Sequence, residues 1–291
     1  MRHRIPVFDG CVSQCETLER NGRRCDVREA AVGVLATADP LAKAAAARTL
    51  AAAWTRGVLA PPAGDVAPLA PDRPARPDRP ALVPPAAVPR RRVNSAPAGR
   101  IALLHALAHI ELNAIDLACD IVARFATASL PRAFVSDWLR VADEEATHFT
   151  LLADRLAALG AAYGDLPAHD GLWESASVTA HDLAARLAVV PLVLEARGLD
   201  VTPAMADRLR RAGDEASAAV LARIYREEIG HVAIGRRWFG FVCAARGLEA
   251  APVWQALVSR HFRGALKRPF NATGRDAAGL PESWYAPLAA A

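Results

Sequence analysis

Glu111, Glu145, His148, Glu195, Glu228 and His231 are the residues of this sequence whose types and spacing could do chemistry together. They form two copies of one pattern. Glu111 is followed 34 residues later by Glu145-Ala-Thr-His148, and Glu195 is followed 33 residues later by Glu228-Ile-Gly-His231. Four carboxylates and two imidazoles in this order suit two metal ions held inside a four-helix bundle. Two helices each give one Glu, and the other two each give a Glu-x-x-His. A single Glu-x-x-His is short enough to arise by chance. Two copies, each preceded at nearly equal spacing by a lone Glu, are much harder to obtain that way.

The faces on which these residues sit strengthen the reading. Residues three apart on an α-helix differ by about 60° around the axis, so the Glu and His of each pair point the same way. One and two turns either side of Glu145 stand Trp138, Val141, Phe149 and Leu152. Around Glu228 stand Leu221, Ile224, Val232 and Gly235, and around Glu111 stand Leu104, Leu107, Ile115 and Ala118. Glu195 follows the apolar run Val189 to Leu194. Each carboxylate therefore belongs to a core-facing stripe. A buried carboxylate with no compensating charge costs several kcal/mol or takes up a proton. Two divalent cations would balance four such groups. Mixed oxygen and imidazole donors suit iron or manganese without excluding zinc. The repeat also places Asp116 and Asp200 five residues after the lone glutamates. These are expected to accept the second ring N–H of the metal-bound histidines. Glu144 and Glu227 adjoin the proposed ligands, but Arg140 and Arg223 one turn earlier put them toward solvent or outer partners. His105 and His109 fit the role of packed, hydrogen-bonded residues better than that of ligands.

The elements that must position these groups are helical. Asp26 and Asp39-Pro40 read as starts of two short helices, near 26–35 and 41–54, with Gly33 weakening the first. Residues 61–90 hold ten of the chain's 21 prolines. They cannot be helix or central strand and are expected to be extended, as a linker or a strap laid over the domain. Long helices follow near 100–127 and 132–159, the second closed by Gly160. Residues 161–177 make a long crossover. A third helix starts near Thr179, with Pro191 expected to kink it and Gly198 and Pro203 to break it. A fourth covers roughly 215–245, and the chain from Arg263 to Ala291 reads as irregular. Two helical hairpins joined by one long crossover form the ferritin-like arrangement. The expected fold is thus all-α: a ferritin-like four-helix bundle at 99–248, after an N-terminal segment with short helices at 1–60 and a Pro-rich linker or strap at 61–98. A C-terminal extension at 249–291 packs on the bundle.

Composition sets further bounds. Hydrophobic residues make up 53% of 291, enough for a sizeable core, and much of that is Ala, which favours helix. No uninterrupted apolar stretch approaches the ~20 residues of a membrane helix, and the N-terminus lacks an apolar signal core. A cytoplasmic protein with no membrane partner is expected. The net charge of +4 comes almost wholly from Arg, since Lys43 and Lys267 are the only lysines. Cys11, Cys15 and Cys25 cluster without a matching second pair, which reads as free thiols rather than a zinc site.

Several of these stretches carry a resemblance. Leu104-His-Ala-Leu-Ala-His-Ile-Glu-Leu-Asn-Ala-Ile-Asp-Leu-Ala118 and Asp137-Trp-Leu-Arg-Val-Ala-Asp-Glu-Glu-Ala-Thr-His-Phe149 are similar to signatures of a ferritin-like, largely bacterial family known as domain of unknown function 455. So are Tyr163-Gly-Asp-Leu-Pro-Ala-His169, Glu195-Ala-Arg-Gly-Leu-Asp-Val-Thr-Pro203, Glu228-Ile-Gly-His-Val232 and Pro269-Phe-Asn271. The resemblance covers roughly residues 30–288. It implies a ferritin-like fold and a di-iron centre, with manganese–iron or manganese pairs as further options. It supplies no substrate. The expected activity is that of an O2-activating oxidoreductase or hydroxylase acting on a small molecule, with an unknown electron donor. The alternatives are iron handling or peroxide detoxification, a tRNA-modifying hydroxylase using a basic face of Arg208, Arg210, Arg211, Arg236 and Arg237, and a non-catalytic helical metal-binding protein. Asn271 and Arg275 are candidates to cover the site. Oligomeric state is open, a dimer among the options.

Overall fold

A computed structural model describes residues 24–65, 70–88 and 96–290. Cys11 and Cys15 lie outside the described residues. Among those described the protein is all-helical, with isolated bridges but no strand. The chain divides into two compact units: Met1–Pro80 with Ile110–Thr150, and Ala81–His109 with Leu151–Ala291.

In the first unit, α1 (Val27–Leu35) and α2 (Pro40–Thr55) begin where the sequence signals them. Asp26 Oδ1 accepts from Arg28 N at 2.8 Å, and Asp39 Oδ1 accepts from Ala42 N at 2.8 Å. These caps satisfy amides that the first helical turn leaves without partners. Gly33 lies within α1 without ending it. Within this unit, residues 71–75 of the proline-rich chain lie as a strap against the helices. Ala75 N donates to Leu35 O at 2.8 Å, and Arg124 Nη2 donates to Pro71 O at 2.9 Å. The unit also takes in most of α3 (Pro97–Phe125) and the first part of α4 (Arg132–Ala158). Trp54 is nearly sealed, its Nε1 donating to Ser136 Oγ at 2.9 Å and its ring covered by the Arg132 guanidinium at 3.8 Å. Helix α3 is long and apolar enough to cross a membrane by length and composition, with mean hydropathy 1.4. Yet 78% of that window is buried inside the protein.

In the second unit the crossover is less bare than expected. It contains α5 (Gly171–Ser177). The third helix begins at Leu183, where Asp182 caps Ala185 N, and runs as α6 (Leu183–Val189), a π-helical turn (Val190–Glu195) and α7 (Ala196–Arg211). After a short turn closed by Gly213 at φ +77°, α8 (Glu215–Ala245) packs back against α7. Asp214 starts α8 by accepting from Ser217 N at 3.0 Å and is flanked by Arg155 at 3.2 Å and Arg100 at 3.4 Å. The tail holds further helices, α9 (Ala250–His261), α10 (Ala272–Ala277) and α11 (Glu282–Tyr285).

Neither Gly198 nor Pro203 breaks α7, which contains both. Proline lacks an N–H, so Pro203 leaves the Leu199 carbonyl without its helical donor. Asn271 Nδ2 donates to that carbonyl at 3.1 Å. The tail therefore repairs the helix, and the interior proline is tolerated because its backbone acceptor is satisfied. Pro191 lies in the π turn that joins α6 to α7. Trp254 Nε1 donates to Ala188 O at 3.0 Å beside it.

Candidate metal centre

Within the first unit, Glu111 on α3 and Glu145 and His148 on α4 come together. Exposures are 4%, 0% and 0%. His148 Nδ1 lies 3.2 Å from Glu145 Oε2 and 3.6 Å from Glu111 Oε2. Each of the three offers a donor atom, all within 4.8 Å of one another. Burial, and then the charge of neighbouring Glu145, push the Glu111 carboxyl well above its ordinary range. Burial alone would lower His148, but hydrogen bonds and charge from Glu111 and Glu145 overcome it and push the imidazole up to about 11. The cluster therefore binds excess protons and competes for positive charge. That is the behaviour of a desolvated carboxylate pair around an imidazole.

Within the second unit, Glu228 and His231 share a face of α8, with His231 Nδ1 3.4 Å from Glu228 Oε1. His231 is fully buried and Glu228 is 6% exposed. Glu195 closes the π turn that packs on α8 and is half-buried. The two units thus carry the two copies of the sequence pattern, Glu111–Glu145–His148 and Glu195–Glu228–His231. Glu227 accepts from Arg223 Nε at 3.0 Å, one turn away along α8.

The aspartates do not do what the spacing suggested. Asp116 is fully buried between Lys43, Nζ to Oδ1 2.5 Å, and Arg76, Nη1 to Oδ2 2.6 Å. Asp200 accepts from Arg275 Nε at 2.8 Å and Nη2 at 2.7 Å, and from Asn271 N at 3.0 Å. Among the described residues, neither takes a histidine N–H. Five residues advance an α-helix about 140° beyond a full turn, so such an aspartate leaves the face carrying the Glu. Asp116 instead ties the strap to α2 and α3, with Lys43 also donating to Ala75 O at 3.0 Å and Arg76 to Asn113 Oδ1 at 2.5 Å. Asp200, Asn271 and Arg275 fasten the tail to α7.

His105 and His109 are packed residues that hold the crossover. His105 Nε2 accepts from Gly164 N at 2.9 Å, and both imidazoles stack on Tyr163. His109 Nε2 faces the His169 carbonyl at 3.1 Å and so carries the proton, leaving Nδ1 to accept from Tyr163 Oη at 2.8 Å. Sequence reasoning missed Lys43, Arg76 and Tyr163. Lys43 left a signal: it is one of two lysines in the chain and stands in an Ala-rich helix. Of the arginines proposed for a basic face, Arg210 pairs with Asp207 at 2.8 Å, Arg211 Nε bonds Asp207 O at 3.3 Å, and Arg236 lies 4.1 Å over Trp284.

The protein is thus an all-helical one that buries carboxylates beside histidines on long helices. Residues 36–286 match the family described as "Protein of unknown function (DUF455)", and the chain belongs to that family. A protein of Haemophilus influenzae (strain ATCC 51907 / DSM 11121 / KW20 / Rd), described as "Uncharacterized protein", is 44% identical over 206 residues, covering 69% of this chain and 71% of that one. No solved structure matches.

Proposed function

We propose that the chain is a dimetal protein of ferritin-like design, with both copies of the sequence pattern serving as metal ligands. Glu111, Glu145 and His148 would supply one set of ligands, and Glu195, Glu228 and His231 the other. The carrying observation is the buried Glu111–Glu145–His148 cluster, with its pattern repeated on the π turn and α8. The donor set fits divalent cations. Two carboxylates crowded in a dry place resist ionising together, and a cation removes that penalty where a proton now does so. Oxygen and imidazole donors favour iron or manganese. A pair of Fe(II) ions would supply reductive activation of O2 and oxidation of a small organic substrate.

The residues themselves neutralise the ions, orient them and exclude water. Glu145 and Glu228 stand three residues before their histidines, so each pair presents oxygen and nitrogen from one helical face. The His148 proton must leave before its nitrogen can bind a cation, which couples loading to pH.

Metal analysis of anaerobically purified protein tests the reading, followed by optical spectra on adding Fe(II) and then O2. About two irons per chain are expected, with an O2-dependent absorbance change lost in Glu145→Ala and Glu228→Ala. No metal, or one zinc unaffected by either substitution, would sink the redox reading and leave a helical scaffold.

A further inference from the structure

Glycine in the interior of a helix is unfavourable, so its presence calls for a reason. Helix α8 contains three, Gly230, Gly235 and Gly240, and they are not equivalent. A Cβ at Gly230 would meet nothing within 4 Å. One at Gly240 would meet the far end of the Arg236 side chain, which can swing away. One at Gly235 would lie 2.4 Å from Pro191 Cβ and 2.5 Å from Pro191 Cγ. A proline ring is tied to its own backbone and cannot rotate aside. Any side chain at Gly235 must therefore push the π turn off α8.

That turn carries Glu195. Its backbone is widened, the Ala196 N–H reaching back five residues to the Pro191 carbonyl. A π turn re-aims whatever follows it, and such turns are frequent at functional sites. Helices α7 and α8 run antiparallel, since residues 212–214 join them and they pack together. One turn on from Pro191 is Glu195, and one turn back from Gly235 is His231. The contact thus sits a single turn from both ligands and fixes their register.

We propose that Gly235 is a positioning residue for the second set of ligands: its missing side chain lets the Pro191 turn seat against α8 and brings Glu195 level with His231. This rests on the dimetal reading above. Metal-free protein titrated with Mn(II) under argon tests it. Wild type should take up about two ions. Gly235→Ala should keep its helical circular dichroism but bind one ion about 10- to 100-fold more weakly, the scale on which supporting residues act. Gly230→Ala and Gly198→Ala, where a Cβ meets open space, should bind as wild type. Pro191→Gly in the Gly235→Ala background removes both clashing atoms and should restore the lost ion, a rescue that a general loss of stability would not give. Wild-type binding by Gly235→Ala overturns the proposal and leaves the dimetal reading standing. Absence of uptake by wild type overturns both. Should Gly235→Ala fail to fold, the double variant decides: folding with two-ion uptake supports the contact, and continued failure overturns it.

Discussion

Replacing Lys43 with Met should destabilise the protein by about 3 kcal/mol, the low end of the cost of breaking a buried ion pair, because Arg76 still holds Asp116. Lys43 is 1% exposed and Asp116 0%, so neither can turn to water. Burial is the leading influence on both, lowering Lys43 and raising Asp116, and their mutual attraction only partly opposes it. The pair is therefore costly to bury yet costly to break. Without Lys43, Asp116 keeps Arg76 alone, and Ala75 O loses its 3.0 Å donor. For a chain of this size the loss corresponds to a melting point lowered by roughly 10 °C, readable by calorimetry on metal-free protein. The raised Asp116 group fixes the sign of the pH effect. Between its unfolded value and its higher folded value the native state binds more protons, so stability falls as pH rises. Losing Lys43 lifts the folded value further, and the deficit should shrink as pH is lowered toward it. Lys43→Met with Asp116→Leu should recover most of the loss, because two apolar groups need no partner and Arg76 keeps Asn113. A single Lys43→Met costing under about 1 kcal/mol, the worth of an exposed pair, would refute the argument.

Metal loading should release protons. His148 is held up to about 11, so below neutrality it is charged, and Mn(II) uptake in weak buffer should acidify the solution and tighten with pH; uptake independent of pH from 6 to 8 would contradict this. In metal-free protein the same raised imidazole stabilises the fold below its unfolded value near 6.5, and that contribution should fade as pH climbs through about 11, measurable as a falling denaturation midpoint in alkali. Asn271→Ala should cost about 1–3 kcal/mol, since it strands the Leu199 carbonyl and uncaps α10. Adding Pro203→Ala returns an N–H to that carbonyl and should recover part of the loss; equal stability of the single and double variants would count against the repair.

The proposed ligand pattern was legible because it is local. Glu145 with His148, and Glu228 with His231, need only helical periodicity to share a face, and both pairs do so. Asp26, Asp39 and Gly160 were legible for the same reason: a cap acts within four residues of itself. What the sequence hid depends on distant partners. Pro203 reads as a helix breaker until Asn271, 68 residues on, supplies the donor its ring denies to Leu199. Asp116 reads as a histidine's partner until Lys43 and Arg76 arrive from a helix and a strap that no periodicity joins to α3. Asp116 and Asp200 share a physical lesson. A repeat in sequence conserves spacing along the chain, but spacing fixes direction only in multiples of the helical turn. Three residues keep a face and five abandon it. The same rule bears on Glu195, which was read as core-facing like Glu111 but is only half-buried. A π turn inserts a residue into the count, so a stripe read at α-helical spacing from Val189 to Leu194 no longer says where Glu195 points. Its aim is set by the fit of Pro191 against Gly235, a contact between positions 44 residues apart.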